Sequence, residues 1–442
     1  MSNQYPPVEK YSRKYHLLKH YVDFAFRRYY RTELAGIEKI PFAEPLIFAA
    51  NHQNALIDAL ALLTVRTWQP VFLARADIFA NPNIGAILSF LKMLPVYRLR
   101  DGFEKLEKND AIFRKTNDVL INRNGLVMLP EGNHLGKKRL RQLKKGIARI
   151  ALQNEELADF KMGIKIVPVG LEFEDYKKVG SRLLIRFGEP IEVATYREKY
   201  LLSAAIGVRS LTEALATGLK NQMIHIEDVN FYDETIFLLR LVNSYLRDKP
   251  LQEGTNSRLV ADKDFIAHIE KCKTDTPDLY NQLIEQTRQV MASGFYNNPP
   301  GRFDNFLAQT LRKTMLLITS PLFLVSFVIN MLPLAISRFI SNRFNDHHFH
   351  ASIRLVVGML AFPLFYFLLV LLFVFIVGFN WLLLAWIVSL PLSFKFFFVW
   401  KRHFFKFWNY CTGNFARLCN KKEYCETKVK VNKLLQELKN LT

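Results

Sequence analysis

The chain has few cysteines, and its four thiols do not form close pairs. They lie beside basic residues, at Cys272, Cys411, Cys419 and Cys425. Such long spacings are weak evidence for a zinc site. They favour free thiols in a reducing compartment over a disulfide framework. The N-terminal residues contain no apolar run, so we expect no secretory signal peptide.

Acidic residues are also scarce, with 40 against 60 lysines and arginines, which gives a formal net charge of +20. This balance suits anionic partners such as nucleic acid, acidic lipid headgroups, phosphorylated substrates or an acidic carrier protein. Much of the basic charge clusters after a Glu-Gly pair near residue 131 and at the ends of apolar segments. That distribution favours lipid and phosphate ligands, and we expect no nucleic-acid partner.

From Leu355 to Phe394, forty successive residues carry no charge. One crossing of a bilayer needs roughly 20 apolar residues, so this stretch predicts a hairpin of two spans, about 355–377 and 380–400. Residues 401–422 are basic and contain no acid. The positive-inside rule therefore predicts a basic cytoplasmic tail over 401–442.

An earlier apolar run, Thr314–Ser337, is long enough to cross but contains Pro321, Asn330 and Pro333. If this run crossed, the large N-terminal part of the chain would lie outside the cell. Its basic character and missing signal argue against that location. We therefore predict that residues 314–337 re-enter the membrane or lie in its interface, and that the N-terminal domain faces the cytoplasm.

Between about 32 and 202, short apolar runs alternate with helical stretches. This alternation predicts an α/β domain with a mostly parallel sheet, in which ligands gather at the carboxyl ends of the strands. The predicted strands are Leu46–Ala50, Val71–Ala74, Leu126–Leu129, Ile164–Val169 and Leu183–Phe187. The predicted helices lie near 54–66, 82–92, 103–123 and 142–158.

Four other segments flank this domain. Residues 1–31 predict an amphipathic helix, which either packs on its own domain or lies at a membrane interface. Residues 203–312 predict a mostly helical accessory region without a strong motif, ending near a Pro/Gly linker. The membrane region covers 313–400 and the basic tail 401–442.

The most informative residue is His52, which follows a predicted strand and Asn51, with Asp58 six positions later. The two side chains can meet only if His52 lies in the turn and Asp58 in the first turns of the next helix. Asp58 would then hold one ring nitrogen and leave the other as a general base. No Gly-x-Ser-x-Gly motif or reactive cysteine is present, which favours direct transfer over a covalent intermediate. The other interpretation of His52 is a structural hydrogen bond.

Other candidates follow strand ends further along the chain. Arg98 suits a bidentate phosphate contact, and Glu131 with Gly132 forms a second turn that could approach a ligand. The basic run 136–146 predicts either a solvated face or a phosphate site. The cluster 346–350, which contains three histidines, predicts an interfacial loop rather than a metal site.

These residues resemble the glycerolipid acyltransferase family, which contains bacterial and fungal glycerol-3-phosphate and 1-acylglycerol-3-phosphate acyltransferases. Four motifs occur in the family's order, over residues about 30–200. They are Asn51-His52 with Asp58, Pro95-Val96 with Arg98, Pro130-Glu131-Gly132, and Val167-Pro168-Val169. In that family the His deprotonates the acceptor hydroxyl, the Asp orients it, the next two motifs hold the acceptor and the last lies near the acyl pocket.

The chain departs from the common pattern at one point, because five residues rather than four separate His52 from Asp58. The extra residue, the Arg98-x-x-Asp101 pattern and the paired C-terminal spans resemble the fungal-type glycerol-3-phosphate branch. The choice between glycerol 3-phosphate and its 1-acyl derivative stays open. The resemblance implies no metal and no cofactor, with acyl-CoA or an acyl-carrier protein as co-substrate.

We therefore predict a multi-pass membrane enzyme that moves a fatty acyl group from a thioester to a hydroxyl of one of these acceptors. The alternatives are acylation of another lysophospholipid or a lyso-aminolipid, and a non-catalytic lipid-binding protein. The predicted catalytic residues are His52 and Asp58, and Val167, Pro168 and Val169 are predicted for the acyl pocket. The residues predicted to bind substrate are Asn51, Arg98, Asp101, Glu131, Gly132, Asn133, Lys137, Lys138 and Arg139.

Overall fold

The computed structural model describes residues 7–97, 108–246, 255–293 and 306–439. Two compact units are present. The first comprises Met1–His225 together with Ile340–Val356, and the second comprises Ile226–Phe339 together with Val357–Thr442. The first unit therefore continues past the predicted boundary at 202 and includes a segment from far along the sequence.

The first unit is built on one eight-stranded sheet with the order β1-β7-β6-β2-β5-β3-β4, and β8 also pairs with β6. All pairs are parallel except those of β6 with β7 and with β8. The predicted α/β domain with a mostly parallel sheet is confirmed. The strands are β1 Tyr30–Ala35, β2 Leu46–Ala50, β3 Val71–Arg75, β4 Met93–Val96, β5 Leu126–Met128, β6 Lys165–Phe173, β7 Ser181–Phe187 and β8 Ile191–Glu192.

The central strands are continuous apolar runs because helices cover both faces of the sheet. Every residue of β2 is buried, as are eight of the nine residues of β6. The helices of this unit are α1 Arg13–Tyr29, α2 Ile57–Leu63, α3 Pro82–Phe90, α4 Lys108–Ile121, α5 Gly146–Leu157, α6 Arg197–Leu202 and α7 Ala204–Gln222.

Gly170 in β6 lets α7 approach the sheet closely. A Cβ atom at this position would collide with the backbone carbonyl of Gln222, at the end of α7. Because only glycine lacks that atom, the packing of α7 on β6 depends on this residue. Helix α7 thus belongs to the same unit as the sheet.

Parallel pairing brings several chain turns to one edge of the sheet. Strand β2 pairs in parallel with β5 on one side and with β6 on the other. The carboxyl ends of these strands therefore point the same way. Residues that directly follow β2 and β5 meet at this edge, which is where the sequence places His52 and Glu131.

The second unit is helical within its described residues. Three of its helices are long and apolar enough to cross a membrane, namely α11, α12 and α13. The helices of the chain after α7 are α8 Tyr232–Leu241, α9 Thr255–Asp275, α10 Pro277–Met291, α11 Phe306–Ser341, α12 His350–Val377, α13 Trp381–Cys419 and α14 Lys421–Lys439.

The apolar helices are joined by polar contacts as well as by aromatic packing. Asn330 of α11 donates its amide to the Ser393 hydroxyl at 3.0 Å and accepts a bond from the Tyr366 hydroxyl at 2.7 Å. Phe362 of α12 packs edge-on against Phe394 of α13, with ring centroids 5.0 Å apart. Buried polar pairs of this kind hold membrane helices together.

Candidate active site

His52 lies in the turn that follows β2, and its ring contacts Asp58 in the first turn of α2. The distance from Nδ1 of His52 to Oδ2 of Asp58 is 2.9 Å. The ring is 12% exposed, whereas the Asp58 side chain is completely buried. The turn therefore brings together the two residues predicted to be catalytic.

The carboxylate of Asp58 is fixed by the backbone of the same turn. Its Oδ2 atom also accepts a hydrogen bond from the backbone N–H of Asn54 at 2.7 Å. Burial raises the pKa of Asp58, while the bonds to His52 and to the turn backbone oppose that rise. A carboxylate held in this way fixes the orientation of the imidazole and supports one ring tautomer.

The second nitrogen of the His52 ring, Nε2, points away from this pair. Among the described residues, none forms a hydrogen bond with it. An imidazole bonded to a carboxylate through Nδ1 and open at Nε2 can accept a proton from a ligand hydroxyl. The pair has the chemistry of a general base.

Glu131, in the loop after β5, is hydrogen-bonded to the same turn. Its Oε1 accepts the backbone N–H of His52 at 2.7 Å, and its Oε2 accepts the backbone N–H of Arg141 at 3.1 Å. The side chain is only 3% exposed, and burial raises its pKa to about 7 against the lowering effect of these bonds. The carboxylate predicted to bind substrate thus has two backbone partners, which favours a positioning role.

Asn51 is engaged in a similar way. Its side-chain amide donates to the Leu171 carbonyl at 3.2 Å and accepts the Leu171 N–H at 2.7 Å. Because Asn51 is fully buried, these two bonds tie the end of β2 to β6 directly before His52. The structure favours positioning over substrate contact for this residue as well.

The turn after Glu131 contains exposed candidates. Gly132 has a φ of +68°, which L side chains rarely adopt, and its N–H donates to the Leu129 carbonyl at 3.0 Å. Asn133 is exposed. Since Leu135 N–H donates to the His52 carbonyl at 3.3 Å, this turn lies directly beside the candidate base.

The basic run after this turn is an irregular segment rather than a helix. Leu140 and Leu143 are buried and hold the segment against the core. Lys138 forms an ion pair with Glu172, while Lys137 and Arg139 are half-buried. A phosphate ligand of Lys138 would therefore compete with an existing carboxylate partner.

The residues predicted to line the acyl pocket lie inside the central strand β6. Val167, Pro168 and Val169 are all buried, and Pro168 pairs with Ala49 of β2. Their role in an acyl pocket stays a prediction. Arg98 and Asp101 lie outside the described residues.

A segment far along the sequence completes this edge of the unit. Asp346 lies 3.3 Å from Nε2 of His134, and the His348 ring lies 3.3 Å from the Tyr176 hydroxyl. The ring of His134 lies between those of His52 and His348, with centroid distances of 5.6 and 5.4 Å. Burial lowers the pKa of His134, and Asp346 opposes this effect. The cluster predicted to be an interfacial loop therefore contributes to the candidate site.

No local pattern in the sequence could have shown this contribution, because about 300 residues separate this cluster from His52. The contacting residues form no metal site either. Within residues 7–97, 108–246, 255–293 and 306–439, no group of three or more His, Cys, Asp or Glu side chains could hold a metal ion.

Comparison with known proteins gives a consistent picture for the first unit. The acyltransferase family matches residues 31–172. A chloroplastic 1-acyl-sn-glycerol-3-phosphate acyltransferase of Brassica napus is 27% identical over 168 residues, which cover 37% of this chain and 44% of the relative. Glycerol-3-phosphate O-acyltransferase 1 of Saccharomyces cerevisiae is 26% identical over 184 residues, which cover 39% of this chain and 24% of the relative.

Residues 31–172 are therefore similar to an acyltransferase domain. The chain spans less than half the length of the curated relatives that it matches. A crystal structure of the 1-acyl-sn-glycerophosphate acyltransferase PlsC from Thermotoga maritima shares 19% identity, with a TM-score of 0.34. That alignment covers 47% of this chain and 78% of the other.

A cavity of about 280 Å³ in the first unit lies at the other end of the sheet. Its walls include Leu46, at the start of β2, and Gly125, before β5. The cavity is therefore separated from His52 by the length of the strands. The His52–Asp58 pair and Glu131 lie at the opposite edge, away from this cavity.

Proposed function

We propose that the acyltransferase domain moves a fatty acyl group from an acyl thioester to a hydroxyl of glycerol 3-phosphate or 1-acylglycerol 3-phosphate. The products are lysophosphatidic acid and phosphatidic acid. The observation that carries this proposal is the 2.9 Å contact between His52 and the buried Asp58, at the carboxyl edge of a parallel sheet. The relatives named above act on these acceptors, which supports the same substrate class here.

In the proposed reaction, Nε2 of His52 removes the proton from the acceptor hydroxyl. The oxygen attacks the thioester carbonyl carbon and forms a new C–O bond. When the tetrahedral intermediate collapses, the C–S bond breaks and the thiolate takes the proton from the imidazolium. Asp58 stabilises the imidazolium through Nδ1, as in serine hydrolase triads, with the substrate hydroxyl in place of the serine.

The acceptor phosphate needs cationic or N–H donors near this base. We propose Arg98, Lys137 and Arg139 as phosphate ligands, because guanidinium and ammonium groups bind phosphate oxygens with charge-assisted bonds. Asp101, Gly132 and Asn133 are proposed to contact the glycerol unit. Lys138 would join the phosphate ligands only after it leaves Glu172.

The acyl donor is proposed to be acyl-CoA or an acyl-carrier protein, both of which are anionic. The net charge of +20 favours their association with the protein. Val167 to Val169 are proposed to lie near the acyl chain. Another lysophospholipid or a lyso-aminolipid is the second candidate acceptor, and its polar headgroup would use the same donors.

Thiol release during turnover tests the proposed function. Purified full-length protein is incubated with acyl-CoA or acyl-carrier protein and a panel of acceptors, and the lipid products are identified by mass spectrometry. We expect stoichiometric thiol and acylated product with a glycerol phosphate acceptor. The His52→Ala variant should lose this activity by at least about 10²-fold, the lower range of a general-base contribution.

The matched control is His268→Ala, since that histidine is exposed on α9. Substantial activity in His52→Ala at normal expression would refute the assignment of the base. A wild-type protein that binds lipid but releases no thiol with any donor would favour a non-catalytic lipid-binding protein instead.

We also propose that α11 re-enters the bilayer or lies in its interface without crossing it, with the acyltransferase domain in the cytoplasm. Thr319 of α11 accepts a bond from the Trp400 indole at 3.1 Å, and Ser341 accepts one from Arg354 at 3.0 Å. Trp400 ends the second predicted span and Arg354 precedes the first. If α12 and α13 form a hairpin, both of these positions lie on the same side.

The composition of the first unit supports this arrangement. It contains both Met1–His225 and Ile340–Val356, which flank α11 in the sequence. If α11 crossed the membrane once, these two parts would be on opposite sides. A helix that re-enters the membrane or lies in its interface, as the sequence predicted, leaves them together.

A further inference from the structure

The segment that joins α11 to α12 is bonded to the turn that carries the candidate base. The Ser352 hydroxyl donates to Oδ1 of Asn54 at 2.8 Å, and the Oγ of Ser352 accepts the backbone N–H of Leu56 at 3.1 Å. The Asn54 amide also donates to the His348 carbonyl at 3.1 Å. Asn54 is fully buried and Ser352 is 3% exposed, so these bonds are shielded from water.

Both partners of Ser352 belong to the structure that orients the His52–Asp58 pair. The backbone N–H of Asn54 donates to the Asp58 oxygen that also contacts His52. Leu56 directly precedes α2, whose N-terminus has no side-chain cap of its own. The first N–H groups of a helix have no acceptor within the helix. A side-chain oxygen of the residue before the helix often accepts one of them. Here Ser352, 296 positions after Leu56, accepts the N–H of this residue before the helix.

We propose that Ser352 is a positioning residue for the acyl transfer, acting through Asn54 and the first turn of α2 on Asp58. The inference rests on the proposed function. The bonds of Ser352 in the described part of the chain go to Asn54 and Leu56, so we infer an effect on the geometry of the base rather than on the binding of either substrate. Because displacement of a catalytic group by about 1 Å can cost on the order of 10²-fold in rate, loss of two buried bonds in this turn should slow the chemical step.

Ser352 also lies in the first turns of α12, one of the helices apolar enough to cross a membrane. The proposal therefore links the geometry of the base to a residue that lies just before the first predicted span. A chain without the start of α12 would lack the hydroxyl that accepts the Leu56 N–H.

The test compares Ser352→Thr with Ser352→Val in the full-length protein. These side chains have the same shape, and only threonine retains the hydroxyl. We expect Ser352→Val to lower kcat about 10- to 100-fold, with KM for donor and acceptor within about twofold of wild type. Ser352→Thr should retain most of the wild-type kcat. Ser337→Ala serves as the control, because that serine is also buried but bonds only to its own helix.

Equal activity of the Thr and Val variants, whether both are active or both are impaired, would overturn the proposal. A Ser352→Val variant with a raised KM and an unchanged kcat would also overturn the proposal. A smaller variant, Ser352→Ala, repeats the test if the branched side chains disturb folding.

Hydrogen exchange gives a readout that needs no activity. The amides of residues 54–56 should exchange at least about tenfold faster in Ser352→Val than in Ser352→Thr, with no change in Ser337→Ala. If wild-type protein releases no thiol, the proposed function fails, and this exchange alone decides whether Ser352 holds the turn. Identical exchange in the two variants would overturn the inference in either case.

Discussion

The polar side chains around His52 are bonded mainly to the backbone. Asp58 accepts the Asn54 N–H, Glu131 accepts the N–H groups of His52 and Arg141, and Asn51 pairs with both backbone groups of Leu171. Charged acceptors with two or more N–H donors are held more rigidly than side-chain pairs on a surface. Substitutions at these positions should therefore act by moving the base.

The Asp58→Asn variant tests the role of the carboxylate at the base. The amide keeps the shape of the side chain but removes the charge that stabilises the imidazolium, and it can favour the wrong tautomer of His52. We expect thiol release to fall by roughly 10²–10⁴-fold with little change in KM. Asp264→Asn, an exposed position on α9, is the matched control. Retention of more than about a tenth of the wild-type rate would contradict this role.

Glu131 should make the stability of the protein depend on pH. Its pKa is about 7 in the folded chain, above the ordinary value of 4.5, because burial penalises the charged form. Between pH 4.5 and 7 the folded chain therefore binds a proton that the unfolded chain has lost. The contribution of Glu131 to the free energy of unfolding decreases as pH rises through this window, by up to roughly 3 kcal/mol.

The Glu131→Gln variant removes this dependence because the amide does not titrate. Relative to that variant, wild-type protein in detergent should lose several degrees in Tm between pH 5 and pH 7.5. Glu174→Gln, at an exposed position, should follow the wild type at both values. If wild type and Glu131→Gln differ in Tm by the same amount at both pH values, the raised pKa is contradicted.

At the scale of secondary structure, the close contact between β6 and α7 should be sensitive to one methyl group. Gly170→Ala would place a Cβ atom against the Gln222 carbonyl, which is backbone and cannot rotate away. Overpacking of this kind usually costs about 1–3 kcal/mol. We expect a lower Tm and lower thiol release, because β6 also carries the Leu171 groups that hold Asn51.

The control is Gly146→Ala at the start of α5, where no atom lies within 4 Å of an added Cβ. It should leave the Tm unchanged or raise it slightly, since alanine favours a helix. A Gly170→Ala protein as stable as Gly146→Ala would show that α7 can shift without cost.

Local patterns predicted the elements better than the contacts between them. The apolar runs gave β2, β3, β5, β6 and β7 within a few residues, because central strands are continuous apolar segments. The edge strands β1 and β4 were not predicted. They are only partly buried, and their sequences form less clear apolar runs. The spacing of His52 and Asp58 was sufficient to predict how they meet, because a short turn and the first turn of a helix fix that geometry.

The supporting contacts depend on parts of the chain that no local pattern connects. Glu131 and Asn51 were predicted to bind substrate. The sequence does not reveal that their side chains accept hydrogen bonds from backbone N–H groups instead. Ser352 gave no signal at all, because a serine in an apolar helix is common and its partners lie nearly 300 residues away.

At the scale of the whole molecule, single-cysteine labelling can determine the membrane topology. The four native cysteines are replaced by serine, and one cysteine is introduced at Asn342, before α12, or at Asn380, between α12 and α13. Both positions are exposed. If α11 does not cross the bilayer and α12 and α13 do, the two positions are on opposite sides of it. An impermeant maleimide should then label Asn380→Cys in right-side-out vesicles and Asn342→Cys only in inverted ones.

A third position distinguishes this arrangement from a crossing by α11. Lys177, the position of the third cysteine, lies in an exposed turn of the first unit, which also contains residue 342. It should label together with Asn342→Cys, since the bonds of Ser352 to Asn54 and Leu56 can form only if both parts face the same compartment. Labelling of positions 177 and 342 from opposite sides would show that α11 crosses the bilayer, and it would exclude the contact on which the positioning role of Ser352 depends.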